Sequence, residues 1–254
     1  MSVQACAALV ERGDPDRFLA VMAAPVAARR VLFPLYAFNL EVARAPWVTQ
    51  ESMIAEMRLQ WWRDAVEEIA KGSSVRRHEV TTPLAEVISR DIALKLDPLV
   101  AARRWDIYKD PFEDQSHFDT YIDQTSATLL WAAASSLGEV EEQTVRDLGY
   151  AQGVANWLRA IPELEARKRI PLLDGTSDGI RALSDRALAR LHRARSKRHT
   201  ISKPARAALL AAWQAETILK LARNTPGAVA QGALEQSPAR KRLSLILRSA
   251  TGRW

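Results

Sequence analysis

Residues 118–138 read FDTYIDQTSATLLWAAASSLG, and their spacing decides the fold class. Phe118, Tyr121, Ile122, Thr125, Leu129, Ala133 and Leu137 recur every three or four residues, the period of one helix face. Gly138 then supplies a stop. Working outward, Ile54, Met57, Trp61, Ala65 and Ile69 keep the same period. Leu84, Val87, Ile88 and Ile92 form a shorter stripe, and Leu243, Ile246 and Leu247 form one near the end of the chain. β-Branched residues never alternate with polar ones, so no strand is predicted.

Proline marks the helix starts. Asp14-Pro15, Thr82-Pro83, Asp97-Pro98, Asp110-Pro111 and Ser237-Pro238 each place a capping residue before a proline, which suits the first helical position. Ala24-Pro25 and Lys203-Pro204 place proline similarly, and Gly72 reads as a stop. About nine or ten helices are expected. The best loop is Gly175–Gly179, but amphipathic helices continue beyond it, so residues 10–254 read as one all-α domain.

Composition narrows the function classes. Apolar residues at 48% and charged residues at 26% describe a globular chain. The single cysteine, Cys6, excludes an intrachain disulfide and fits a reducing compartment. The longest uncharged stretch, Gln124 to Gly138, is too short and polar to cross a bilayer. The segment MSVQACAALVERGD reaches Glu11 and Asp14 before an apolar signal region forms. The expected location is therefore cytoplasmic, with peripheral contact at the inner membrane as an option. Net charge is +6, and residues 165–206 alone carry twelve Lys/Arg against four Asp/Glu. Such a segment reads either as a solvated helix face or as a contact for an anionic membrane surface, an anionic ligand or an acidic partner. No aromatic platform or nucleic-acid module accompanies it, so nucleic acid is not an expected partner.

No zinc, nucleophile-elbow or phosphate-loop motif is present. Asp110/Asp114 and Asp119/Asp123 have the i, i+4 spacing that lets two carboxylates share Mg²⁺. The first pair straddles a helix start, and the second lies beside the core residues Phe118 and Ile122, so both read as surface charge. Two segments are more specific. Tyr36-Ala-Phe-Asn-Leu-Glu-Val-Ala43 is followed by Met57-Arg-Leu-Gln-Trp-Trp-Arg63. Gly149-Tyr-Ala-Gln-Gly-Val-Ala-Asn-Trp-Leu-Arg-Ala-Ile-Pro162 is followed by Arg167-Lys-Arg-Ile-Pro-Leu-Leu173. An amide such as Asn39 on an apolar helix needs a partner or a ligand.

On these motifs, in this order, the sequence resembles the squalene/phytoene synthase family from about residue 10 to 175. The resemblance implies an isoprenoid-synthase-type helical bundle around a central cavity. In the family's enzymes, two aspartate-rich motifs bind magnesium and, through it, the diphosphates of prenyl substrates. Here those aspartate positions fall on Ala43 and Trp47 in the first motif and on Ala160 and Leu164 in the second. The family's glutamine is replaced by Gly153, with Gln152 one place earlier, while Asn156, Arg159 and Arg169 match. The departures AFNxE (Ala37–Glu41), MRxQxW (Met57–Trp62) and AQG…LRAxP (Ala151–Pro162) resemble the branch containing the mitochondrial complex I assembly factor.

Departure of diphosphate from an allylic carbon needs its charge stabilised by metal, and alanine and leucine supply no donor. The first expectation is therefore a non-catalytic protein with no cofactor. It would help to build a respiratory NADH dehydrogenase, or bind an isoprenoid or quinone-like lipid, in a cavity formed by Tyr36, Asn39, Trp61, Gln152, Asn156 and Arg159. The alternative is an active Mg²⁺-dependent prenyltransferase with relocated ligands such as Glu41, Glu163 or Glu165. A third reading fills the cavity with the protein's own tryptophans at 47, 61, 62, 131 and 157.

Overall fold

The computed structural model describes residues 2–254, and among them there is no β-strand. The chain opens with α1 (Val3–Gly13), α2 (Pro15–Ala23) and α3 (Val26–Arg44). Next come α4 (Ser52–Lys71), α5 (Thr81–Ala85) and α6 (Arg90–Ala102). α7 (Gln115–Ile122) runs into α8 (Thr128–Ser135) through a π-helical turn at Asp123–Ala127. The second half holds α9 (Glu142–Ala166), α10 (Ser177–Ser196), α11 (Arg206–Leu209), α12 (Ala215–Asn224), α13 (Gly227–Ala230) and α14 (Pro238–Thr251).

α9 is the axis of the bundle. It is buried over most of its length, including Val145, Leu148, Tyr150, Val154, Leu158 and Ile161, as expected of a helix that is apolar on nearly every face. It packs against α8, α10, α12 and the π turn. The stripe from Phe118 to Ala133 is buried as the spacing predicts, and it stays on one face across the π turn. That turn widens the helix and loosens its carbonyls. Hydroxyls compensate: Thr125 Oγ1 donates to the Tyr121 carbonyl at 2.6 Å and Thr128 Oγ1 to the Asp123 carbonyl at 3.1 Å.

Two proline starts are found where predicted. Asp14 Oδ1 accepts from the Arg17 amide at 2.9 Å ahead of Pro15, and Pro238 opens α14. Gly72 ends α4 at φ 65°, a conformation that favours glycine. Other starts differ. α6 begins at Arg90 with Ser89 as its cap, so Pro98 lies inside the helix. The carbonyl left without its usual amide by Pro98 is that of Leu94, which is exposed and can be hydrated. Asp97 does not cap; it forms a two-pronged pair with Arg63 at 2.7 and 3.0 Å. Asp114, not Asp110, caps α7, accepting from the His117 amide at 2.7 Å.

Two stripes also face differently from their reading. On α4 the buried face is Ala55, Leu59, Trp62, Ala65, Val66 and Ile69, so Ala65 and Ile69 of the stripe face inward while Ile54 and Met57 are exposed. On α14 only Leu245 is buried, and Leu243, Ile246 and Leu247 face outward.

Candidate functional site

α3 presents Asn39 and, one turn later, Ala43 and Arg44 to the interior of the bundle. The chain then tightens into a 3₁₀ turn at Ala45–Trp47, which swings Trp47 and Val48 to the same rim. Opposite, α9 offers Gly153, Asn156, Trp157, Ala160, Glu163 and Leu164 at helical spacing. The π turn adds Thr125 and Ser126, and the turn after α6 adds Arg103 and Asp106. Together with Arg17 of α2, these residues enclose a cavity of about 640 Å³. Trp47 and Trp157 stand in its wall, but they do not fill it.

Ala43, Trp47, Ala160 and Leu164, the four positions that the resemblance assigns to aspartates, all line this one cavity. None of the four offers an oxygen donor to a divalent ion. The acids that do reach the wall are already engaged: Glu163 accepts from Arg167 at 2.6 Å, and Asp106 accepts from Arg103 at 3.2 Å. Among the described residues, no group of three or more metal-ligating side chains comes together. The residues present therefore do not fit a magnesium–diphosphate cluster.

What the wall does carry is a buried polar cluster. Tyr121 Oη donates to the Asp106 carboxylate, with both oxygens at 3.0 Å, and accepts from Arg103 Nη1 at 2.9 Å. Arg169 closes it from the far side, donating to the carbonyls of Trp105, Asp106 and Tyr108. Burial pushes the Asp106 carboxyl above the usual carboxylate range, with Arg103 acting in the opposite direction. Trp105 stacks on Phe112 at 4.2 Å, with Tyr121 and Trp157 against them, so the cluster is backed by an aromatic wall. Sequence reading missed Arg103 and Asp106, because Arg103-Arg-Trp-Asp106 looks like any charged helix end.

Of the six residues expected to form the site, the structure brings together Asn39 and Asn156. Asn39 is 8% exposed, and no protein partner for its amide is found among the described residues. Tyr36 lies behind the wall, beneath the Arg17 guanidinium at 4.9 Å, and burial pushes its phenol up to about 12. Trp61 belongs to a second hollow of about 310 Å³ with Glu41, Arg58, Trp62 and His78. Gln152 donates to the Ala211 carbonyl at 2.8 Å. Arg159 ties α9 to Asp16 at 3.1 Å and to Glu235. Of the acids weighed as metal ligands, Asp119 accepts from Tyr150 at 2.5 Å, Asp123 from Arg146 at 2.8 Å and Asp114 from the His117 amide.

The basic segment 165–206 is tied to the fold in part, while Lys168, Lys197, Arg198 and Lys203 are exposed. Arg193 pairs with Asp147 at 2.7 Å, Arg195 with Glu216 at 2.6 Å and Arg181 with Asp178 at 2.8 Å. Arg190 lies over the Tyr150 ring at 3.7 Å.

An all-α bundle with a central cavity between α3 and α9 defines a protein of the isoprenoid-synthase type. Solved structures agree on the fold. A dehydrosqualene synthase in complex with ligand superposes with TM-score 0.79 at 16% identity, covering 98% of this chain and 95% of that one. A squalene synthase from Alicyclobacillus acidocaldarius superposes with TM-score 0.71 at 18% identity, covering 91% and 94%. The squalene/phytoene synthase family model matches residues 10–172, and the chain belongs to that family. Curated relatives include the Drosophila melanogaster homolog of NADH dehydrogenase (ubiquinone) complex I assembly factor 6, 30% identical over 66% of this chain and 53% of that protein. The Homo sapiens assembly factor 6 is 26% identical over 65% and 51%. The chain thus spans about half the length of these relatives.

Proposed function

We propose that this protein is a non-catalytic member of its family that assists assembly of a respiratory NADH dehydrogenase. The observation that carries the reading is the chemistry of one wall: Ala43, Trp47, Ala160 and Leu164 line the cavity without a carboxylate, at the positions where the resemblance would put four. The names of the relatives, complex I assembly factor 6 and its homologs, point to the same role. The lining is mixed, with Ile122, Leu129, Trp157 and Leu164 beside Arg17, Arg103, Thr125 and Ser126, which suits an isoprenoid or quinone-like lipid with a polar headgroup held without turnover. Asn39 and Asn156 are among the polar contacts offered to such a ligand. Association with the respiratory complex would be peripheral at the inner membrane, since no helix is long and apolar enough to cross a bilayer among the described residues.

A relocated magnesium site is not favoured. Glu41 lines the second hollow rather than the main cavity, and Glu163 is held by Arg167. The test is deletion of the gene, followed by assay of NADH dehydrogenase activity and assembled complex alongside isoprenoid product analysis. Loss of the dehydrogenase with unchanged isoprenoids is the expected result. Loss of an isoprenoid product with normal dehydrogenase would overturn the reading.

A further inference from the structure

α14 buries little of itself. Leu245 packs inward, and Lys241 and Arg248 turn toward the body, where Lys241 meets Glu235 at 2.5 Å and Arg248 meets Glu216 at 3.5 Å. Ser249 Oγ fixes the helix to the Ala23 carbonyl of α2 at 2.8 Å. The outward face is apolar: Leu243, Ile246 and Leu247 are 60%, 63% and 56% exposed. Scattered exposed leucines need no explanation, but three on one helical ridge do. Arg240, Arg242 and Arg253 are also exposed, and none forms an ion pair among the described residues. After Glu235 the chain has five basic residues and no acid. An apolar ridge bordered by unpaired arginines is the signature of a helix that lies in an anionic membrane interface.

Beneath this helix lies a cavity of about 650 Å³, separate from the central one. Arg195, Arg198, Arg248 and Arg253 line it, with Glu216 the acid among them. Glu216 is already shared by Arg195, Lys220 and Arg248, so positive charge is in excess. Burial, together with the nearby Arg195, pushes the Arg248 guanidinium below its ordinary value, with Glu216 acting in the opposite direction. Trp254 contributes an independent sign. It is 3% exposed, it lines the same cavity, and its indole Nε1 donor has no partner among the described residues. A buried donor in that state is costly unless something accepts from it.

We propose that α14 and the arginine-lined cavity beneath it form a docking site for a bilayer bearing anionic phospholipid, with Leu243, Ile246 and Leu247 entering the interface and a lipid phosphate seated between Arg198 and Arg253. The charge balance favours this occupant over a protein groove: every charged side chain of α14 itself is basic, and lipid supplies anion and hydrocarbon together. The site is independent of the central cavity and of any role in complex assembly.

The experiment is flotation of the full chain with vesicles of phosphatidylcholine alone or of phosphatidylcholine and phosphatidylglycerol in equal parts. Partition onto the anionic vesicles only, weakened by salt, is expected. Because each arginine near an anionic surface is worth about fivefold in partition, Arg240→Glu with Arg242→Glu should lower it at least about tenfold. Leu243→Glu with Ile246→Glu should lower it comparably, and Arg198→Glu should weaken it alone. All these side chains are exposed, so an unchanged melting temperature reports intact folding. Lys168→Glu with Lys203→Glu, on the basic segment outside this site, should leave partition unchanged. Failure to float with anionic vesicles, or partition indifferent to the α14 variants, would overturn the proposal. So would a melting shift with inorganic phosphate in the absence of vesicle binding, since the site would then take a soluble anion.

Discussion

Gly149 of α9 rides directly on Ala127 in the π turn: a Cβ built on Gly149 would stand 2.6 Å from the Ala127 Cα. One turn on, a Cβ at Gly153 would stand 2.7 Å from the Ser126 Cβ. The Ser126 hydroxyl donates to the Gly149 carbonyl at 2.8 Å, closing the contact. The glutamine that the family places at position 153 would therefore have no room here unless the π turn moved away.

Gly149→Ala is expected to destabilise the protein by about 1–3 kcal/mol despite the better helix propensity of alanine, because the opposing atom is backbone and cannot rotate aside. Urea unfolding checks this. A variant as stable as the parent would show that α9 and the π turn are not in close contact.

Asp106→Asn should cost about 3–5 kcal/mol, because it leaves the Arg103 guanidinium buried without its counter-charge. Tyr121→Phe should cost about 1 kcal/mol, the loss of a hydrogen-bonded hydroxyl with the charges still paired. The ranking is the prediction, read from unfolding midpoints. Equal costs would mean that the cluster does not depend on charge pairing.

Stability should depend on pH through Glu216. Burial opposes its ionisation, but hydrogen bonds from Lys220 and Arg195 prevail and hold its carboxyl down at about 2. A carboxyl depressed by folding contributes stability that is fully present above its ordinary value and is lost as pH falls toward the depressed one. Glu216→Gln should therefore lower stability by about 2–3 kcal/mol at neutral pH. The gap to the parent should close as acidity increases toward about pH 2. Thermal melts across that range would show it, and a gap independent of pH would contradict the assignment.

The long elements were legible because their periodicity is enforced by burial. The Phe118 stripe faces the core as read, and the substitutions at Ala43 and Ala160 fall in the wall because helical register carries them there. Periodicity announces an apolar face without naming what covers it. This is why Leu243, Ile246 and Leu247 read as core and stand in the open. The proline starts failed where an acid found a better partner than the backbone, as Asp97 did in Arg63. The Arg103–Asp106–Tyr121 cluster was hidden because the groups that surround it, Trp157 and Arg169, come from more than fifty residues beyond Asp106 along the chain. Gln152 and Arg159 share α9 with Asn156, yet their side chains point to other faces of that helix, and Trp61 stands on α4 beside a separate hollow.

The most direct measurement of the central claim is diphosphate release from farnesyl or geranylgeranyl diphosphate, with and without Mg²⁺, beside a squalene synthase as control. With Ala43, Trp47, Ala160 and Leu164 at the cavity wall, release should stay at the level of the protein-free blank in both conditions. Release that requires both the protein and Mg²⁺ would contradict the account.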